Sequence, residues 1–150
     1  MTGLRPARRD DVDALVGLEQ RCFPGDRLTR ARFLALLRRP TASFVVADDD
    51  DATGLDGYAL LLSRRGSTIA RLYSIAVDQG ARGRGLGRRL VAAAEELARR
   101  RGAARLRLEV RADNDAAIAL YRGLGFHDFA IHADYYDDGT DAVRFEKALV

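Results

Sequence analysis

The apolar residues change period in the middle of this chain, and that change limits the folds open to it. Residues 68–77 read as one long strand, whereas Leu86, Leu90, Ala94 and Leu97 recur on a single helical face, with Arg88, Arg89, Glu95, Arg99 and Arg100 elsewhere on the helix surface. Gly83, Gly85 and Gly87 mark the junction, and Gly102 closes the helix. The other segments follow the same two periods. Residues 4–8 suit a short edge strand. Val12, Leu15, Leu18 and Cys22 suit a helix that Asp10 or Asp11 can cap and Pro24-Gly25 ends. Thr29 can cap a second helix carrying Phe33, Leu34, Leu36 and Leu37, with Pro40 as its stop. Residues 43–47, 57–62 and 68–77 form a β-meander by pattern. Leu106, Leu108 and Val110 alternate with Arg105, Arg107, Glu109 and Arg111, which makes a strand with one charged face. Asn114 can cap a short helix carrying Ala117, Ile118 and Tyr121, and two last strands, 126–133 and 142–148, surround a polar loop. The order β-α-α-β-β-β-α-β-α-β-β predicts an α/β (α+β) architecture, a mixed sheet with helices on its faces, in one domain spanning residues 1–150.

The chain is 150 residues long, 47% hydrophobic and 31% charged, an ordinary globular balance. No apolar run reaches the ~20 residues of a membrane helix. Met1-Thr2-Gly3-Leu4-Arg5-Pro6 lacks the apolar stretch of a signal peptide, so a cytoplasmic protein with no membrane partner is expected. Cys22 is the only cysteine, which excludes an intrachain disulfide and a zinc site of several thiolates. With only His127 and His132 besides, no metal centre is expected. The carboxylates at 48–51 lack calcium-loop spacing and read as a solvated turn. A pI near 9.4 raises the question of nucleic acid. Lys147 is the only lysine, however, and acidic residues interleave with the arginines almost everywhere, so no direct nucleic-acid partner is expected.

Chemistry concentrates in the glycine turn. A strand ending Ile75-Ala76-Val77-Asp78 feeds Arg82-Gly83-Arg84-Gly85-Leu86-Gly87-Arg88, which opens the helix. Glycine lets main-chain amides approach an anion with no Cβ in the way, and the helix start adds N–H groups and partial positive charge. A phosphate or pyrophosphate at this turn follows, with Arg82, Arg84 and Arg88 as supplementary charge. The nucleotide phosphate loop needs a Gly-Lys-Ser/Thr ending, and the dinucleotide fingerprint needs glycine where Arg88 stands, so neither fits.

The spacing Arg82-x-x-Gly85-x-Gly87 resembles the (Q/R)-x-x-G-x-(G/A) signature of the GCN5-related N-acetyltransferases (GNATs). A second block resembles the same family. It runs Leu108-Glu109-Val110-Arg111-Ala112-Asp113-Asn114, continues through Ala117-Ile118-Ala119-Leu120-Tyr121, and ends at Gly123-Leu124-Gly125-Phe126. Together with Leu18-Glu19-Gln20-Arg21-Cys22-Phe23-Pro24 and Tyr135-Tyr136, it is most similar to the ribosomal-protein-alanine N-acetyltransferase branch. The chain departs from that branch at Pro24-Gly25, where proline-tryptophan is common, and at His132, where arginine is.

The resemblance implies the GNAT fold: a mostly antiparallel sheet of about seven strands, a splayed parallel pair (68–77 and 105–111 here) and four helices. It implies acetyl-CoA as acetyl donor, with the thioester arm held along Ile75, Ala76 and Val77, the pyrophosphate at Arg82, Gly83, Arg84, Gly85, Leu86, Gly87 and Arg88, and a contact from Asn114. It assigns Glu109 as general base, direct or through a water, and Tyr121 as proton donor to the leaving thiolate. The acceptor is a primary amine, a protein or peptide N-terminus in that branch; lysine, a polyamine or another small amine, or coenzyme binding without catalysis, stay open. A monomer or homodimer is expected. The residues alone also permit plainer roles: Glu109 in an ion pair with Arg107 or Arg111, Tyr121 in the core, Asn114 as a helix cap, and Cys22 inert on the first helix, far from the chemistry. Asp134, Asp137, Asp138 and Asp141 near Tyr135-Tyr136 suit either a cationic acceptor or a solvated loop.

Overall fold

The computed structural model describes residues 3–50 and 54–149; Met1 and Thr2 of the N-terminal run and Asp51 of the acidic turn lie outside it. Seven strands and four helices follow in the predicted order: β1 (Leu4–Pro6), α1 (Val12–Cys22), α2 (Arg30–Arg38), β2 (Ala42–Asp48), β3 (Leu55–Leu62), β4 (Ile69–Val77), α3 (Leu86–Arg100), β5 (Arg105–Arg111), α4 (Asp115–Gly123), β6 (His127–His132) and β7 (Ala142–Ala148). They build one sheet ordered β1-β2-β3-β4-β5-β7-β6. All pairings are antiparallel except β4 with β5.

Two cores form because the strands alternate. Val45, Ala59, Leu61, Leu106 and Leu108 point to the face covered by Leu90, Val91, Ala94 and Ala98 of α3 and by Tyr121 of α4. Phe44, Val46, Tyr58 and Leu60 point to the other face, where Leu15 and Leu18 of α1 and Phe33 and Leu36 of α2 cover them. The helices start and stop as their ends dictate. The Thr29 hydroxyl accepts from the Arg32 N–H at 3.1 Å, Asn114 Oδ1 accepts from the Ala117 N–H at 3.1 Å, and Gly102 takes φ +82° just past α3. Asp11 does not cap α1. Its carboxylate instead accepts from the Arg8 N–H and from the Arg5 guanidinium, which also holds Asp48 and so fastens β1 to β2.

The parallel pair is short. β4 and β5 pair only at Ile69–Arg105, Ala70–Leu106 and Arg71–Arg107. Two residues further along β4 the register with β3 slips: Leu61 faces Leu72 but Leu60 faces Ser74, leaving Tyr73 without a partner across the ladder. A bulge of this kind bends its strand and strengthens the local twist. Beyond it β4 stays with β3 as far as Val77, β5 stays with β7 as far as Arg111, and the two strands separate. The bulge also shifts the pleat, so Ser74 and Ala76 face α1 while Ile75 and Val77 face α3.

Gly57 sets how closely α3 approaches this strand system. A Cβ there would stand 2.8 Å from the Ala76 carbonyl oxygen and 3.1 Å from Leu90 Cδ1. We expect Gly57→Ala to destabilise the fold by about 1–3 kcal/mol, because backbone and a core leucine must both move. Thermal or urea unfolding checks this, with an unchanged midpoint as the contrary result.

Candidate active site

The separation of β4 and β5 opens a cavity of about 880 Å³. Leu72, Tyr73, Ser74 and Ile75 form one wall, Leu108, Glu109 and Val110 the other, and Asn114, Ala117 and Tyr121 of α4 close one side. The loops 23–28 and 135–138 form its mouth. The structure thus brings Glu109, Tyr121, Asn114 and Ile75 together around one space.

Glu109 is almost buried, with 7% of its side chain exposed, and lies between two arginines from the flanking strands. Arg71 Nη2 on β4 is 2.5 Å from Oε1, and Arg144 Nε on β7 donates to Oε2 at 3.4 Å. Arg71 Nη2 also donates to the Tyr135 hydroxyl at 2.6 Å. The arginines expected beside Glu109 on its own strand pair elsewhere: Arg107 with Glu146 at 2.6 Å, and Arg111 with Asp113 and Asp138. The reason is geometric. Residues i and i+2 on a strand lie about 6.5–7 Å apart, whereas a residue directly across the ladder lies about 5 Å away, and Arg144 is that residue.

Tyr121 belongs to the core and also borders the cavity. Its ring packs edge-on to Phe126 with centroids 5.6 Å apart, and it also lines the cavity. Burial pushes its hydroxyl up to about 12, so it keeps its proton throughout the neutral range. Asn114 caps α4 and lines the same cavity, one side chain at both tasks.

The glycine turn lies off the cavity wall, beyond the end of β4. Asp78 Oδ1 accepts from the Gln79 N–H and starts a short 3-10 turn at residues 79–81. Gly83 and Gly85 adopt φ of +82° and +78°, with open space where a Cβ would stand. Gly87 is different: it is helical, and a Cβ there would reach only ordinary contact with Val77 at 3.9 Å. Two of the three glycines therefore serve the turn. Gly85 caps α3 with no side-chain acceptor for the first helical N–H groups, and Arg82, Arg84 and Arg88 are exposed around it. A diphosphate fits this cradle: an uncapped helix start, two cleared approaches and three guanidiniums. The Val77 carbonyl is already engaged, by Arg82 Nε at 3.2 Å and the Cys22 thiol at 3.5 Å. Cys22 therefore lies against the end of β4 rather than far from the turn, and burial pushes its thiol pKa up.

Pattern reading missed three side chains here. Glu19, 2% exposed, accepts from the Leu28 N–H and the Tyr58 hydroxyl, each at 2.7 Å, and the Tyr58 oxygen is 2.6 Å from Ser74 Oγ. Burial pushes the Glu19 carboxyl above its ordinary range, against the pull of both hydrogen bonds. The available signal was a carboxylate inside an apolar stripe, four residues after Leu15 and one after Leu18. At the mouth the Asp137 N–H donates to Asp26 Oδ1 at 3.3 Å, and the nearby Asp26 pushes the Asp137 carboxyl up. His127 and His132 line no part of the cavity; the His132 ring packs on Tyr135. Among the described residues no three His, Cys, Asp or Glu side chains gather as metal ligands, and no helix is long and apolar enough to cross a membrane.

Comparison with known proteins agrees with this geometry. The acetyltransferase (GNAT) family model matches residues 12–126. The chain is 38% identical over 144 residues to the N-alpha-acetyltransferase RimI of Mycobacterium tuberculosis, covering 93% of this chain and 87% of that protein. It is 40% identical over 142 residues to an uncharacterised Mycobacterium leprae protein, of which it spans 38% while 91% of this chain is covered. The crystal structure of the ribosomal-protein-S18-alanine N-acetyltransferase from Escherichia coli superposes with a TM-score of 0.87 at 30% identity, covering 99% of this chain and 94% of that one.

Glu109 also carries structural load. We expect Glu109→Gln to lower stability by about 1–3 kcal/mol, since two guanidiniums lose their shared anion in a half-buried setting. Unfolding midpoints in urea check this, separately from any loss of activity.

Proposed function

Because the chain belongs to the GNAT acetyltransferase family, we propose that it transfers an acetyl group from acetyl-CoA to the α-amine at a protein N-terminus, by direct attack. The observation that carries this reading is the parting of β4 and β5 after three residue pairs, with a carboxylate-lined cavity in the gap and an uncapped, glycine-turned helix start just past it. The names of the RimI relative and the Escherichia coli structural neighbour support an N-terminal amine, with an N-terminal alanine as first choice. The acidic mouth supports a cationic acceptor. We take residues 1–150 as one catalytic domain acting in the cytoplasm.

Acetyl-CoA supplies an acyl group already activated as a thioester. Main-chain amides of Gly83–Arg88, with Arg82, Arg84 and Arg88, hold the diphosphate, and the unpaired edge of β4 at Ile75 to Val77 receives the thioester arm. Asn114 adds a contact from the start of α4. Glu109 takes the proton released by the acceptor ammonium, directly or across one water, and Arg71 and Arg144 keep its carboxylate aimed into the cavity. The amine nitrogen then bonds to the carbonyl carbon while a β4 amide donates to the developing oxyanion. As the carbon–sulfur bond breaks, the Tyr121 hydroxyl gives its proton to the thiolate and is replenished by the second proton shed from the acylated nitrogen, which leaves a neutral amide and a thiol.

Thiol release from acetyl-CoA with an alanine-N-terminal peptide tests the reading. Silence with that peptide, lysine peptides and polyamines alike would refute it. Tyr121→Phe is expected to lower kcat by roughly 10²–10⁴-fold and to leave acetyl-CoA affinity unchanged in calorimetry. Gly85→Val, which forces a β-branched residue to φ +78°, is expected to weaken acetyl-CoA about tenfold. For an α-amine acceptor, kcat/KM should rise as pH passes through about 7.7–8.0, where the ammonium loses its proton. A decline caused by Tyr121 is confined to pH values approaching 12, because its folded pKa is raised and its proton is lost only there.

A further inference from the structure

We propose that Glu19 is a positioning residue for the acceptor amine, tying the loop of residues 23–28 to strand β4 through Leu28 and Tyr58. The assignment rests on the reading of the cavity as the acceptor site. It starts from a local anomaly. Glu19 is a carboxylate in the last turn of α1, 2% exposed, and its hydrogen-bond partners are an amide and a phenol rather than a cation. Burying an anion on neutral donors is unfavourable, and an apolar residue would pack the core better.

What the carboxylate provides is acceptance at both oxygens. Oε2 takes the Leu28 N–H, so the far end of the loop closes back onto the helix it left at Cys22. Oε1 takes the Tyr58 hydroxyl, and the Tyr58 oxygen is in turn 2.6 Å from Ser74 Oγ, on the first residue after the β4 bulge. The Tyr58 ring cannot drift, being fully buried and packed edge-on to Phe33 with centroids 5.8 Å apart. A chain of three hydrogen bonds thus runs from loop to helix to sheet. Among the described residues, the other bonds of this loop stay within it and α1, as when Arg27 donates to the Phe23 and Gln20 carbonyls, or reach the opposite lip, where Asp137 meets Asp26. Phe23, Pro24 and Asp26 of the loop line the cavity, so its placement sets the distance between the mouth and β4. Glutamine can keep this network, its Oε1 accepting from Leu28 and its Nε2 donating to the Tyr58 oxygen, which then turns its proton to Ser74; leucine, of similar size, offers neither partner an acceptor.

The test uses the full chain with Glu19→Leu and Tyr58→Phe, the latter preserving the aromatic packing. Amide hydrogen exchange at Leu28 is expected to quicken about tenfold in Glu19→Leu, which leaves that N–H without its acceptor. With an alanine-N-terminal peptide, the acceptor KM is expected to rise about five- to twentyfold in either variant, with kcat and the acetyl-CoA KM within about twofold, and the double variant no worse than the poorer single one. Silence of the wild-type enzyme toward every amine strikes the acetyl-transfer reading. An active wild-type enzyme whose acceptor KM is unmoved by Glu19→Leu overturns the Glu19 assignment alone, as does a variant in which kcat falls and acetyl-CoA KM rises by as large a factor as acceptor KM. Unchanged exchange at Leu28 overturns it whatever the activity.

Discussion

Hydrogen bonding between β4 and β5 stops after Arg71 and Arg107, and most of what is distinctive in this molecule follows from that interruption. A main-chain edge without a partner is costly to bury unless something else satisfies it. Here the bulge at Tyr73 turns β4 away, each strand keeps its outer neighbour, and the inner edges face a cavity instead of each other. The same bulge brings Tyr73 and Ser74 onto one face, which puts Ser74 within reach of Tyr58 and leaves Ile75 and Val77 packed toward α3. One extra residue therefore shapes the cavity, places the Glu19 network and aims the strand end at the glycine turn.

Glu109 and Glu19, two of the carboxylates that line the cavity, sit in contrasting surroundings. Glu109 is held by guanidiniums from the strands on either side. Glu19 is held by an amide and a phenol, and burial dominates its titration. The same carboxylate group is thus held by cations at one position and by neutral donors at the other. The arginines of the open half of the sheet divide their work in the same way: Arg105 and Arg107 neutralise Glu146, Arg111 organises the 138–140 turn, and Arg71 and Arg144 serve Glu109.

Much of the architecture was legible in the chain. The element order, the caps at Thr29 and Asn114 and the strand–turn–helix at residues 68–97 were all readable, because each depends on neighbours within a few positions. Asp11 was misread because its partner Arg5 belongs to β1, which must first pair with β2 before the carboxylate is drawn away from the helix. The third glycine was over-read: a motif counts glycines, but only backbone dihedrals tell a turn residue such as Gly85 from a helical one such as Gly87.

Sequence alone determined which segments alternate, which coil and where an anion cradle can form, since periodicity, capping and glycine freedom are local properties of the chain. Tertiary structure decided what Glu109 and Glu19 touch. Of their partners, Arg71, Arg144 and Tyr58 stand 35 or more residues away along the chain, and only Leu28 is near, nine residues on. Strand register, one bulge and the closure of α1 onto the sheet bring them together, and a hydrogen bond's short range makes those contacts all or nothing.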